Sequence, residues 1–123
     1  MTLRIDLAWL LIVAEAKSPG DPRVTDYGAL VAAVSRHEAA IFERPVYAEP
    51  HDRAAALLQL LVHIPALERG NALFASAVAY GYLVASGLKV STSPERIRDL
   101  ARLVKDGAAD VRAIASELRT WTV

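Results

Sequence analysis

Two helical segments that are apolar on nearly every face limit most sharply what this chain can fold into. The first runs from Arg53 to about His63, with Ala54, Ala55, Ala56, Leu57, Leu58, Leu60, Leu61 and Val62 leaving no polar stripe; the second runs from Asn71 to Ser86. A helix without a polar face must be covered on all sides, so both segments are predicted to be central. Between them, Pro65 and Gly70 interrupt the pattern. The stretch Val62 to Leu73 is therefore a short loop feeding a buried helix. Amides at a helix start, together with the helix dipole, favour negative charge, so such a loop is suited to gripping an anion.

Shorter helices are predicted around this pair. Asp6 is a cap for a first helix over Leu7 to Lys17, which Ser18-Pro19-Gly20-Asp21-Pro22 breaks. Thr25 or Asp26 caps a second, about Tyr27 to Glu38, with Leu30, Val31, Ala33 and Val34 on one face. Ala39 to Phe42 either continues that helix or makes a short turn. Glu43 to Pro50 is a loop, after which His51 or Asp52 opens the first apolar segment. Gly87 suits the end of the second. Thr2 to Ile5 and Leu88-Lys89-Val90 are short enough to be extended. Ser93-Pro94-Glu95 supplies a cap, a first-turn proline and an early acid for a fifth helix to about Lys105. Asp106-Gly107 turns the chain, and Asp110 starts a last helix with Val111, Ile114, Ala115 and Leu118 on one side, ending near Trp121. The expectation is an all-α bundle of about six helices, one domain over residues 1–123, with its third and fourth helices as the hub.

Bulk composition narrows function mainly by exclusion. Hydrophobic residues make up 54% and charged residues 23%, which suits a packed core rather than disorder. Fourteen basic residues balance fourteen acidic ones, so no net field steers the chain to nucleic acid or an anionic membrane, and neither is an expected partner. Without cysteine there is no disulfide framework and no thiolate chemistry, which fits the reducing cytoplasm, the expected location. Leu7 to Ala14 is an apolar run followed by Ala14-Glu15-Ala16, which mimics a signal-peptidase site. Asp6 directly ahead, and Arg4 as the sole nearby side-chain cation, favour a capped helix packed on the core. No run reaches the ~18 uninterrupted apolar residues of a membrane span. There is no Walker loop, no nucleophile elbow and no zinc pair, and His37 and His51 lack partners at metal-ligand spacing.

The hub resembles the Fic/Doc family, in particular its death-on-curing branch. Relatives there carry an Ala-Ala-Ala-Leu-Leu-His helix, a loop reading Asn-His-x-Phe/Leu-x-Asp-Gly/Ala-Asn-Lys-Arg, and a buried helix ending in Asn-Gly. This chain has Ala54-Ala55-Ala56-Leu57-Leu58-Gln59, then Pro65-Ala66-Leu67-Glu68-Arg69-Gly70-Asn71-Ala72-Leu73, and ends the helix at Ser86-Gly87. Asp26-Tyr27-Gly28-Ala29-Leu30 with Ala33-Val34-Ser35-Arg36, Tyr47-Ala48-Glu49-Pro50, and the tail from Asp106 to Arg119 extend the similarity over nearly the whole chain. The resemblance implies a toxin fold from a toxin–antitoxin-type system, with an antitoxin as partner. In the family the loop histidine is a general base, the acid binds magnesium, and the Gly-Asn amides with the Lys-Arg pair hold nucleotide phosphates. Fic members transfer AMP from ATP to proteins, and Doc-type toxins phosphorylate elongation factor Tu.

Set against that pattern, Pro65 stands at the histidine, Arg69 at the acid, and Ala72 and Leu73 at the Lys-Arg pair; Gly70 and Asn71 are kept. Proline offers no base, and general-base catalysis is worth about 10²–10⁴-fold. The leading expectation is therefore a pseudoenzyme that binds protein and has lost transferase chemistry. The alternative is a working transferase, using ATP and Mg2+ on a protein hydroxyl such as one on elongation factor Tu, in which His63 is a displaced base, Glu68 a metal ligand and Arg69 a phosphate anchor. Each of these has a plainer reading: a helix-ending histidine, a solvated carboxylate and a surface arginine. Gly70 and Asn71 are candidates both for capping the fourth helix and for binding an anion. Arg36 matches a basic position near the family's site and joins the anion candidates. A third option is a homodimer through Trp9 on the first helix or through Trp121.

Overall fold

The computed structural model describes residues 2–123. Six helices account for the architecture: α1 (Leu7–Lys17), α2 (Tyr27–His37), α3 (Pro50–His63), α4 (Asn71–Ala85), α5 (Pro94–Lys105) and α6 (Val111–Thr120). A two-stranded hairpin, β1 (Ala40–Ile41) and β2 (Arg44–Pro45), lies between α2 and α3. The all-α Fic/Doc-like bundle read from the sequence is the one observed. No helix among the described residues is long and apolar enough to cross a membrane.

Local chemistry explains most boundaries. Asp6, Asp26, Ser93 and Asp110 each accept an amide three residues on, at 2.9, 3.2, 3.2 and 2.8 Å. Each such cap contributes about 1 kcal/mol. The hub helix α3 opens at Pro50, ahead of the expected start at Arg53. Proline suits the first helical position because its missing N–H has no intrahelical acceptor to find there, and Asp52 turns back to accept the Glu49 amide at 3.2 Å.

α3 sits at the centre, packed by α2, α4, α5 and α6. Ala54, Ala55 and Ala56 are fully buried on it, with Leu57, Leu58 and Leu61. Small side chains let neighbouring axes approach to the short end of the ~8–10 Å packing range. The two tryptophans differ in exposure. Trp121 is 1% exposed and donates from Nε1 to Glu117 Oε2 at 2.9 Å. Trp9 is half-buried over Gly81, where an added Cβ would lie 3.3 Å from its ring. The part of the expected dimer surface placed at Trp121 is thereby corrected, because that indole is buried in its own chain.

Two other segments depart from expectation. Ala39 to Phe42 neither extends α2 nor ends in a simple turn. Ala40 pairs with Pro45 and Ile41 with Arg44, and Phe42 and Glu43 reverse the chain at φ 50° and 66°. Positive φ at both turn positions usually calls for Asn-Gly, so nothing local announces this hairpin. Thr2 to Ile5 forms no strand. Its backbone is tied to a buried polar network instead.

That network was not visible in the sequence. Arg53, 4% exposed, donates from Nε to the Tyr82 hydroxyl (2.7 Å) and from Nη1 to the Tyr47 and Ala48 carbonyls (3.0 and 2.8 Å). Tyr82 donates in turn to the Leu3 carbonyl at 2.6 Å. His37, 1% exposed, accepts the Ile5 amide on Nε2 at 3.1 Å, which leaves Nδ1–H to donate to the Val34 carbonyl. Burial pushes the His37 pKa below its ordinary value and favours this neutral form.

Candidate functional site

Between α3 and α4 the backbone from Ile64 to Gly70 is stitched to the α1–α2 connection. Ala66 accepts from the amides of Thr25 (2.8 Å) and Asp26 (3.1 Å), and Glu68 N–H donates to the Arg23 carbonyl (2.9 Å), closing a bridge between Val24 and Leu67. Ala66 and Leu67 are buried by this contact. Their own amides both donate to Asn71 Oδ1 at 3.0 Å, while Asn71 Nδ2 donates to the Leu67 carbonyl at 2.9 Å. One side chain thus satisfies three backbone groups of the loop.

This corrects the expectation that Asn71 caps α4. Gly70 is the cap, at φ 72° in the left-handed region that glycine adopts without strain, and no side chain closes the first turn. Asn71 is the first helical residue, and its amide group faces back into the loop.

Glu68 and Arg69 are also committed locally. Glu68 Oε2 accepts the Arg23 amide (2.9 Å) and guanidinium (3.1 Å), and Oε1 accepts Arg69 Nη1 (2.5 Å). The two Arg23 hydrogen bonds hold the Glu68 carboxyl below the usual carboxylate range. Arg69 Nη2 reaches the Gly20 carbonyl at 2.9 Å. The pair therefore pins the Gly20–Arg23 segment to the loop. As exposed ion pairs these contribute little individually, but the bonds to backbone fix geometry.

His63 ends α3 as an exposed residue and makes no side-chain hydrogen bond among the described residues. It does not line the groove that Ala72 and Leu73 line. Arg36 lies elsewhere, on α2, bonded to Gln59 Oε1 (2.7 Å), the Tyr47 hydroxyl (3.1 Å) and the Ala56 carbonyl (3.4 Å). Hydrogen bonds tie Glu68 to Arg69 and Asn71 to the loop backbone, and none of them reaches His63 or Arg36.

The donor set does not fit a magnesium ion. Arg69 is a cation, both Glu68 oxygens are paired with arginines, and no group of three or more His, Cys, Asp or Glu side chains among the described residues could hold a metal. Nor does the first turn of α4 itself carry a cation. Ala72 and Leu73 instead line an open groove of about 620 Å³ between α4 and α5, with Ser76, Ile97, Ala101 and the basic residues Arg98, Arg102 and Lys105. Sequence reasoning missed Gly20, Arg23 and this groove. Arg23 meets its partner 45 positions later, a distance no local pattern spans. The groove did have a signal: no charged residue occurs from Gly70 to Leu88.

A six-helix bundle with its hub loop at this place narrows the class, and comparison with known proteins names it. No family model matches the chain. A curated relative, Toxin Doc of Mycolicibacterium smegmatis (strain ATCC 700084 / mc(2)155), is 35% identical over 120 residues, covering 96% of this chain and 92% of its own length. The chain belongs to the Doc toxin family.

Proposed function

We propose that this Doc-family chain has lost nucleotide and phosphate transfer and acts by binding protein, as the toxin-fold member of a toxin–antitoxin-type pair with an antitoxin as partner. The observation that carries this reading is the inward commitment of the loop's polar side chains. Asn71, Glu68 and Arg69 spend their hydrogen bonds on Ala66, Leu67, Arg23 and Gly20. Pro65 supplies no base, and the cations that would steady a transferring phosphoryl group are replaced by Ala72 and Leu73. What remains accessible at that point is an apolar surface. The degenerate motif and the cytoplasmic location belong to this reading. So does Gly70 as the one retained feature of an anion site, its flanking amides uncapped by any side chain.

The test incubates the protein with labelled ATP, magnesium and elongation factor Tu. No label above background is expected on either protein. Robust transfer that is weakened by Arg69→Ala and lost with His63→Ala would establish the working transferase instead.

A further inference from the structure

We infer that residues 2–5 act as an acid-released latch, held shut by the neutral imidazole of His37 and freed when that ring takes up a proton. None of the groups involved belongs to the loop between α3 and α4, so the latch is independent of the binding reading.

Residues 2–5 pass His37 at the end of α2 and Tyr82 in the last turn of α4. Their side chains alternate. Thr2 and Arg4 are exposed, whereas Leu3 is half-buried and Ile5 is 5% exposed in the core. The segment joins no sheet. Its backbone makes two hydrogen bonds among the described residues, both to side chains. The Tyr82 hydroxyl donates to the Leu3 carbonyl at 2.6 Å, and the Ile5 amide donates to His37 Nε2 at 3.1 Å. A segment with so few backbone ties opens locally more readily than the helices beneath it.

Of the two ties, the one to His37 is switched by protons near neutrality. Nδ1–H of His37 is committed to the Val34 carbonyl, one of the carbonyls that the last turn of α2 leaves without an intrahelical donor. A second proton must therefore sit on Nε2, where it faces the Ile5 N–H. Two donors then replace a donor and an acceptor, so the protonated ring and the closed segment oppose each other. The titratable and charged groups around the ring do not rescue it. They are Glu38 at the end of α2, Arg53 on α3, Tyr82 edge-on from α4 at 5.9 Å between ring centroids, Arg4 on the segment itself, and Glu43 and Tyr47 from the hairpin and the loop after it. Neither carboxylate bonds the ring. Glu38 favours the charged form and Arg53 opposes it, while burial weighs most and disfavours charge. A cavity of about 60 Å³ lined by Thr2, Arg4, His37 and Arg53 has room for water, so lifting the segment hydrates the ring and relieves that burial. The open form thus takes a proton that the closed form excludes, and acid shifts the population toward it.

Native-state amide hydrogen exchange on the full-length chain, read by NMR from about pH 7.5 down to about pH 4.5, tests the latch. Protection of the Ile5 amide, corrected for the intrinsic exchange rate, should begin to fall near pH 6.5 and decline by up to about tenfold for each pH unit below it. At every pH it should lie about tenfold or more below the protection of Leu57 and Val78, in the buried middles of α3 and α4. In His37→Gln, whose side-chain oxygen offers an acceptor that does not titrate, the Ile5 decline should vanish. Flat Ile5 protection in the wild type overturns the inference. So does protection equal to that of Leu57 and Val78, because the segment would then open only when the whole chain unfolds. A decline that begins only near about pH 4.3, or one that persists in His37→Gln, also overturns it by placing the sensor on another group, Glu38 or Glu43 first. Should His37→Gln fail to fold, the onset and level of the wild-type decline decide alone.

Discussion

The two sides of Gly70 are built in opposite ways. On the α3 side, the loop from Ile64 to Arg69 is rich in hydrogen-bonding groups, and they are turned inward: Asn71 holds two loop amides and Arg69 holds the Gly20 carbonyl. On the α4 side, Ala72, Leu73 and Ala77 are apolar and turned outward to an open groove. A phosphotransfer site needs the reverse, with donors free to meet substrate charge as it develops. The contrast teaches that polar residues of a loop can serve its shape alone, while the helix face beside it stays apolar and open.

The sharpest way to break this contrast is Asn71→Ala. It leaves the buried Ala66 and Leu67 amides without an acceptor. At about 1–3 kcal/mol for each orphaned group, a loss of roughly 3 kcal/mol is expected in chemical denaturation. A change below about 0.5 kcal/mol would mean that the loop does not depend on this side chain.

Gly20→Ala should cost less, about 1–2 kcal/mol. Its φ of 78° disfavours a side chain, and an added Cβ would meet Arg69 Nη2 at 2.8 Å. Adding Arg69→Ala removes the clash but not the backbone strain. The double variant should therefore recover part of the loss, and a double-mutant cycle reads the coupling between these positions, 49 apart in sequence.

His37 provides a control outside both regions. The folded chain holds it neutral because burial lowers its pKa from the ordinary 6.5, whereas the unfolded chain takes up a proton near that value. Its contribution is complete above about pH 6.5 and is lost as pH falls from there through the folded value. Urea midpoints measured downward from pH 7.5 should decline in that window, and His37→Gln should flatten the decline. An unchanged slope would contradict a buried neutral imidazole.

The smallest stability effect belongs to Leu73→Glu. The side chain is 48% exposed, so the change should stay within about 0.5 kcal/mol. A large loss of stability would show that the groove face is part of the core.

Helix positions were largely legible because their signals are local. Asp6, Asp26, Ser93 and Asp110 announce helix starts within four residues, and the apolar runs around Ala55 and Val78 mark the hub. The start of α3 was misread because Asp52 acts from inside the helix and Pro50 begins it. The site was legible only as a location. Whether Arg69 faces solvent or Gly20, and whether Asn71 caps a helix or holds a loop, depends on the α1–α2 connection folding against a segment more than 40 residues away. The buried Arg53–Tyr82–Leu3 chain escaped for the same reason, since Tyr82 and Leu3 are 79 positions apart. All-round apolarity in α3 and α4 looked equivalent; only packing separates a helix covered on every side from one with a stripe left open.

The central claim, that binding has replaced transfer, is tested most directly by calorimetric titration of the full-length protein with magnesium–ATP. No saturable heat is expected up to about 1 mM nucleotide, because the side chains of Glu68, Arg69 and Asn71 are already engaged within the chain. Saturable micromolar binding that Arg69→Ala abolishes would contradict the account.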